Sequence, residues 1–238
     1  MEILNQREKF SMIKKLLLIA TAAFFTLTSE VFAALPIDES ELAEILINTQ
    51  TAQKTDQIIL VIDHSLSLWN QNPEDGTWSM DFEAYCGYGR NGMSSNRWAG
   101  DKTTPIGSFP MLYAFGLVDN PGTPMTYRKI TPRSYLSAAQ STYNTWVESS
   151  SYVPGEHLID YYQYKYAMNI GFNYDQNTGR AKEYGRGAAI FLHCKSYDRW
   201  WTSGCVSLEE PVMLDLLLKS HDGEYMIIVP NVDYISRY

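Results

Sequence analysis

Apolar and polar positions along this chain alternate or gather into short runs, and they seldom recur at helical spacing. Gln57–Ile62 reads QIILVI, a continuous run rich in β-branched residues of the kind a buried strand carries, and residues 77–85 (TWSMDFEAY) partly alternate. Asn72-Pro73-Glu74-Asp75-Gly76 has turn chemistry, so a hairpin is expected there. Residues 110–115, 164–172 and 188–192 and Tyr225–Val229 are further strand candidates, whereas residues 86–108 are rich in Gly, Asn, Ser and Thr and read as loop. Helical patterns are confined to residues 37–49 and to 211–219, where Met213, Leu216 and Leu217 share a face. The sum is a mainly β domain with a few peripheral helices.

Composition narrows the class. A chain of 238 residues, 45% apolar and 13% aromatic, supports one domain with a sizeable core. The net charge of −8, with no run of Lys/Arg, lacks the footprint of a nucleic-acid binder. At the N-terminus Lys14-Lys15 precede an apolar stretch over 16–27, and Val31-Phe32-Ala33 places small residues where a signal peptidase reads. Residues 1–33 are therefore expected to be an export signal, with Met1 or Met12 as the start. The apolar stretch falls well short of the ~20 residues of a membrane span. Cleavage removes a net charge of +1 and leaves −9, and directs the product across the inner membrane to the periplasm or cell envelope. Residues 34–55 are expected to form a helical segment or linker, and 56–238 the functional domain.

Cys86, Cys194 and Cys205 make an odd count in an exported chain, so at least one thiol is free or paired outside the chain. Cys86 with Cys194 is one possible bridge.

The chemistry gathers in residues 188–213, AAIFLHCKSYDRWWTSGCVSLEEPVM. His193 is expected at the end of a buried strand, rigid on one side and open on the other. Thr202-Ser203-Gly204-Cys205 reads as a tight loop in which Gly204 permits a bend and a close approach of substrate. A helix starting over 208–211 would set its positive end near Cys205 and favour the thiolate, with Ser207 and Glu210 resembling a capping box although Pro211 disturbs it. Imidazole is the natural base for a thiol. Spacing alone leaves open a core histidine and a buried cysteine, and, less favoured, a zinc set of His193, Cys194, Cys205 and Asp198 without a C-x-x-C pair.

The motifs add a family. His193 followed by Thr202-Ser203-Gly204-Cys205-Val206 resembles the active-site signature of the L,D-transpeptidase (YkuD-type) catalytic domain, as do the upstream Thr104-Pro105-Ile106-Gly107-Ser108-Phe109 and the run 187–193. Many members carry a second histidine where this chain has Ser203, and Arg or Asn where it has Ser207. The resemblance implies an L,D-transpeptidase-like β-sandwich or barrel over roughly residues 56–230. It further implies Cys205 as nucleophile, His193 as base, the backbone carbonyl of Cys194 as orienting group, and backbone amides at Gly204 and Cys205 for the oxyanion. Peptidoglycan stem peptides are the implied partner, with release of D-alanine, either crosslinking or hydrolysis as outcome, and no cofactor.

Around that centre Trp200, Trp201, Thr202 and Ser203 are candidate substrate contacts, and Asn169 a support from a neighbouring strand. Trp200 and Trp201 read equally as loop packing, and Asn169 as a turn residue. Arg97 and Lys102 are expected in a solvated loop, His157 on the surface, and Asp63-His64 in a turn. Two other readings stand beside the transpeptidase: a papain-like cell-wall peptidase using Cys86 with His157 or His193, and a wall-binding domain without catalysis.

Overall fold

The computed structural model describes residues 36–238, and the expected export signal lies outside the described residues. The strands are β1 (Gln57–Ile62), β2 (Ser65–Gln71), β3 (Trp78–Tyr85), β4 (Met93–Ser94), β5 (Thr104–Pro105), β6 (Gly107–Gly116), β7 (Tyr127–Lys129), β8 (Ser134–Ser137), β9 (Trp146–Glu148), β10 (Gly155–His157), β11 (Ala167–Ile170), β12 (Tyr174–Asp175), β13 (Arg180–Ala181), β14 (Phe191–Cys194), β15 (Val206–Leu208) and β16 (Tyr225–Val229). Among the described residues two α-helices, α1 (Glu39–Ile47) and α2 (Glu210–Lys219), flank them.

The main sheet runs β15-β14-β11-β6-β16-β1-β2-β3 and curls into a half-barrel, with β7 also on β6. The long strand β6 makes the curl. Its first half pairs with β16 (Gly107 opposite Ile228) and its second with β11 (Phe115 opposite Ala167), so it passes from one half of the sheet to the other. A bulge in β11 between Met168 and Ile170 bends the sheet at the same place.

Alternation of side chains sorts the apolar residues into three clusters. Ile59 and Val61 of β1 face a central cluster with Leu192, Cys194, Val206, Leu208 and the α2 residues Met213, Leu216 and Leu217. Ile58, Leu60 and Ile62 face the opposite way, onto Leu42 and Leu46 of α1, Trp69 and Ile235. β1 is buried along its whole length for that reason. On the far side of β14, Phe191 and Cys205 join a third cluster with Phe115, Leu136, Leu158 and Tyr164. It is roofed by the small antiparallel sheet β10-β8-β9.

The structure amends several expectations. The hairpin exists, but its first arm is β2, a strand not read from SLSLWNQ, while β1 is joined to β2 by the expected turn at Asp63-His64. The helix expected over 37–49 is present as α1, and it also packs onto the sheet. The three cysteines are free and buried, so the Cys86–Cys194 bridge does not form.

Candidate active site

Strand β14 holds the site together. Phe191 and His193 point to the roofed side and Leu192 and Cys194 to the central core. β15 runs parallel to β14 with His193 opposite Ser207. Extending that register sets Cys205 opposite Phe191, so Cys205 and His193 are diagonal neighbours on one face of the sheet. Diagonal neighbours on one face of a sheet lie within reach of long and aromatic side chains. Both side chains line one cavity of about 140 Å³, shared with Tyr164, Trp200, Trp201, Thr202, Ser203 and Glu156. Cys194 faces away, which removes it from any common metal set with His193 and Cys205.

The apolar run 188–192 does not become strand until Phe191, because Ala189 adopts a left-handed φ of +56°. Strain of that kind in a residue with a Cβ needs support. The Ala189 amide donates to Asn144 Oδ1 at 3.1 Å, and its carbonyl accepts from the Cys205 thiol at 3.2 Å. The Phe191 amide in turn donates to Cys205 Sγ at 3.4 Å. Backbone groups thus fix the sulfur from two sides.

The loop before Cys205 is tied as tightly. Thr202 Oγ1 donates to the Cys205 carbonyl at 2.6 Å and accepts from the Gly204 amide at 3.0 Å, while Thr104 Oγ1 donates to the Gly204 carbonyl at 2.8 Å. Gly204 has φ of +138°, and a Cβ there would stand 2.9 Å from the Thr103 carbonyl oxygen, so only glycine fits without movement. Its amide is engaged by Thr202 and is not free to receive an oxyanion, which amends one expectation; the Cys205 amide has no such bond.

His193 is 7% exposed. Its Nδ1 meets the Cys194 carbonyl at 2.7 Å, the orienting contact expected from the sequence, which makes Nδ1 the protonated nitrogen and Nε2 the basic one. Burial lowers its pKa to about 4, despite that carbonyl. Burial also pushes the Cys205 thiol up to about 12, with the Glu156 carboxylate raising it further and the Phe191 amide and Arg97 opposing. The resting pair is therefore thiol and neutral imidazole. The expected helix assistance is absent, because β15 intervenes and α2 begins at Glu210 behind an N-cap, Glu209, that makes no side-chain cap bond. Ser207 is no capping residue; it lies in β15 and donates to the Trp200 carbonyl at 2.9 Å.

Trp200 packs edge-on to Tyr85, with ring centroids 4.7 Å apart, and Trp201 is 42% exposed beneath the guanidinium groups of Arg90 and Arg199. Asn169 stays outside the cavity, paired opposite Phe191 with its amide on Tyr113 Oη at 2.8 Å, so it braces the strand next to the site. His157 is tied to Pro132 and Asp160 at the surface, as expected. Cys86 is fully buried in the central core, donates to the Asp63 carbonyl at 3.7 Å and is not among the residues lining the His193 cavity, which argues against the papain-like reading. Lys102 is exposed as read. Arg97 is not solvated; it is 3% exposed, stacked on Phe172 and directed at Gly204, with Nε and Nη1 unpartnered. Sequence reasoning also passed over Glu156 and Tyr164, which no motif marks; only the fold of the roof brings them to the site.

A β half-barrel with a histidine and a cysteine over one cavity defines the class. Residues 56–229 match the YkuD family model, the L,D-transpeptidase catalytic domain, and the chain belongs to that family. No curated protein matches the chain. Among solved structures the chain is similar to Bd1075 of Bdellovibrio bacteriovorus, at 16% identity and a TM-score of 0.43 over 77% of this chain and 51% of that one. It is also similar to the helical cell shape determining protein Pgp2 of Campylobacter jejuni, at 15% identity and 0.43 over 82% and 56%. A third likeness is the L,D-transpeptidase of Stackebrandtia nassauensis, at 14% identity and 0.35 over 80% and 65%. The chain thus spans about half the length of the first of these relatives.

Proposed function

We propose that this protein is a cysteine-dependent peptidoglycan L,D-transpeptidase that works through a thioester on stem peptides, after export to the cell envelope. The observation that carries this reading is the sharing of one face and one cavity by His193 and Cys205, with the imidazole already oriented by the Cys194 carbonyl.

A thiol and a neutral imidazole call for general-base attack rather than a preformed ion pair. As the sulfur closes on the carbonyl carbon of the stem's third residue, His193 Nε2 takes the thiol proton and the C–S bond forms. The carbonyl electrons move to oxygen, and the Cys205 amide stabilises that charge. Collapse breaks the bond to the terminal D-alanine, whose nitrogen takes the proton from His193. The amine of a second stem then attacks the thioester, gives its proton to His193 and leaves a crosslink, with the thiol restored. Trp200 and Trp201 form the wall along which the stem lies.

The test is to incubate residues 34–238 with tetrapeptide muropeptides and follow masses. Crosslinked dimers and loss of alanine support the reading, whereas loss of alanine alone assigns the site to hydrolysis. No turnover, or full activity of Cys205→Ala, overturns it.

A further inference from the structure

The cavity that holds Cys205 and His193 also holds a carboxyl group that the mechanism above leaves idle. Glu156 lies in β10, the edge of the roof, where its neighbours Gly155 and His157 pair with Ser137 and Tyr135. Its Oε2 accepts from Tyr164 Oη at 2.6 Å, and Tyr164 in turn sets its ring edge-on to His193, with centroids 5.6 Å apart. Oε1 has no hydrogen-bond partner among the described residues. Burial pushes this carboxyl above the usual range.

Such a group works against the nucleophile, because a negative charge beside Cys205 disfavours the thiolate. Arg97 opposes this effect on Cys205 from behind Gly204, but it does not line the cavity, and the cations nearer the carboxyl are engaged elsewhere. Arg199 lines the cavity but is stacked on Trp201 and sits 3.9 Å from Asp198. Lys195, nearby, is paired with Glu209. A charge that hinders the empty site makes sense if substrate supplies its partner.

We propose that Glu156 is the ammonium-binding residue of this site, taking the free side-chain ammonium of stems whose third residue, the one whose carbonyl Cys205 attacks, is a diamino acid. This rests on the reading of Cys205 as the nucleophile for stem peptides. The ion pair does two things at once: it selects a third residue that carries a cation, and it removes the charge opposing the thiolate at the moment the carbonyl arrives. Tyr164 holds the carboxylate in place through Oε2 and leaves Oε1 for the ligand.

The experiment is single-turnover acylation of Cys205, followed by intact mass, with two tetrapeptide stems that differ in one group: diaminopimelate at the third position, or 2-aminopimelate, which lacks the ammonium. The wild type is expected to acylate at least about tenfold faster with the diaminopimelate stem, the scale of a charge-assisted hydrogen bond. Glu156→Gln, whose amide oxygen can still accept from Tyr164, should narrow that preference to within about twofold. Alkylation of Cys205 by neutral iodoacetamide should be as fast or faster in the variant, which reports an intact site. A wild-type preference retained in Glu156→Gln, or a wild type that does not discriminate, overturns the inference while leaving the acyl-enzyme intact. No adduct from either stem, with iodoacetamide still reacting, overturns the transpeptidase reading and this inference together.

Discussion

Burial sets the protonation state of each reactive side chain, and pH is therefore the sharpest probe of the individual residues. With the His193 pKa held near 4, the imidazole of the free enzyme remains a base through the whole neutral range. The expected profile of kcat/KM shows no acid limb at the ordinary histidine value; with a substrate that carries no ammonium for Glu156 to bind, it falls only as the ring is protonated near its folded value. An acid limb at the ordinary histidine value of 6.5 would show that the ring is solvated in the working enzyme. Glu224 offers a second test, of stability. It is fully buried, and burial raises its carboxyl well above the usual 4.5, with the nearby Ser220 hydroxyl opposing only in part. The folded state thus keeps a proton that the unfolded state gives up above pH 4.5, so stability falls as pH rises from there toward the folded pKa. Glu224→Gln, which mimics the protonated form, should raise the melting temperature at pH 8 and leave it nearly unchanged at pH 4. An equal gain at both pH values would point to packing instead of proton linkage.

At the scale of elements, the site is two strand ends and a loop sewn together by hydroxyl groups. Thr104 Oγ1 donates to the Gly204 carbonyl and accepts from the Gly89 amide at 2.8 Å, so it joins two loops to the turn before Cys205. Thr104→Val keeps the shape and strands both partners, at a cost of about 1–3 kcal/mol per buried group left unpaired. Thermal melting should show that loss, and kcat should fall with KM little changed, because the turn that presents the sulfur loosens; an unchanged kcat would show that Ala189 and Phe191 hold the sulfur by themselves. Elements such as β1, β16 and α2 were readable because their apolar patterns are long and uniform. His193, Cys205 and the TPIGSF element stood out because residue type and order carry chemistry. Strand β2 was hidden, since SLSLWNQ alternates serine with leucine and ends polar, and the left-handed Ala189 delayed β14 where a smooth apolar run suggested otherwise. Glu156 and Arg97 could not be read at all. A lone charged residue between polar neighbours looks solvated, and only the turn at Gly204 and the roof over β14 reveal that Arg97 is buried and that Glu156 lines the cavity.

Across the described residues, the curl of the sheet creates two outer faces that need covering, and α1 with the turn around Ile235 supplies one of the covers. Leu42 and Leu46 of α1 are fully buried against Ile58, Leu60, Ile62 and Trp69, alongside Ile235 from the C-terminal turn, and Thr51 Oγ1 donates to the Tyr238 carbonyl at 3.0 Å. The family match begins only at residue 56, so a protein trimmed to that boundary would keep every catalytic candidate and lose the cover. It would leave an apolar face of the sheet open to water, a surface that drives association. Leu42→Ala with Leu46→Ala tests the same cover without shortening the chain, each substitution costing about 2–5 kcal/mol in a well-packed site. Since the face lies on the opposite side of β1 from the central cluster that contacts β14, the double variant should lose much of its thermal stability yet retain the Cys205 alkylation rate at low temperature. Loss of alkylation in step with stability would mean that the half-barrel unfolds as one unit, with α1 as much a part of the site's support as β14 itself.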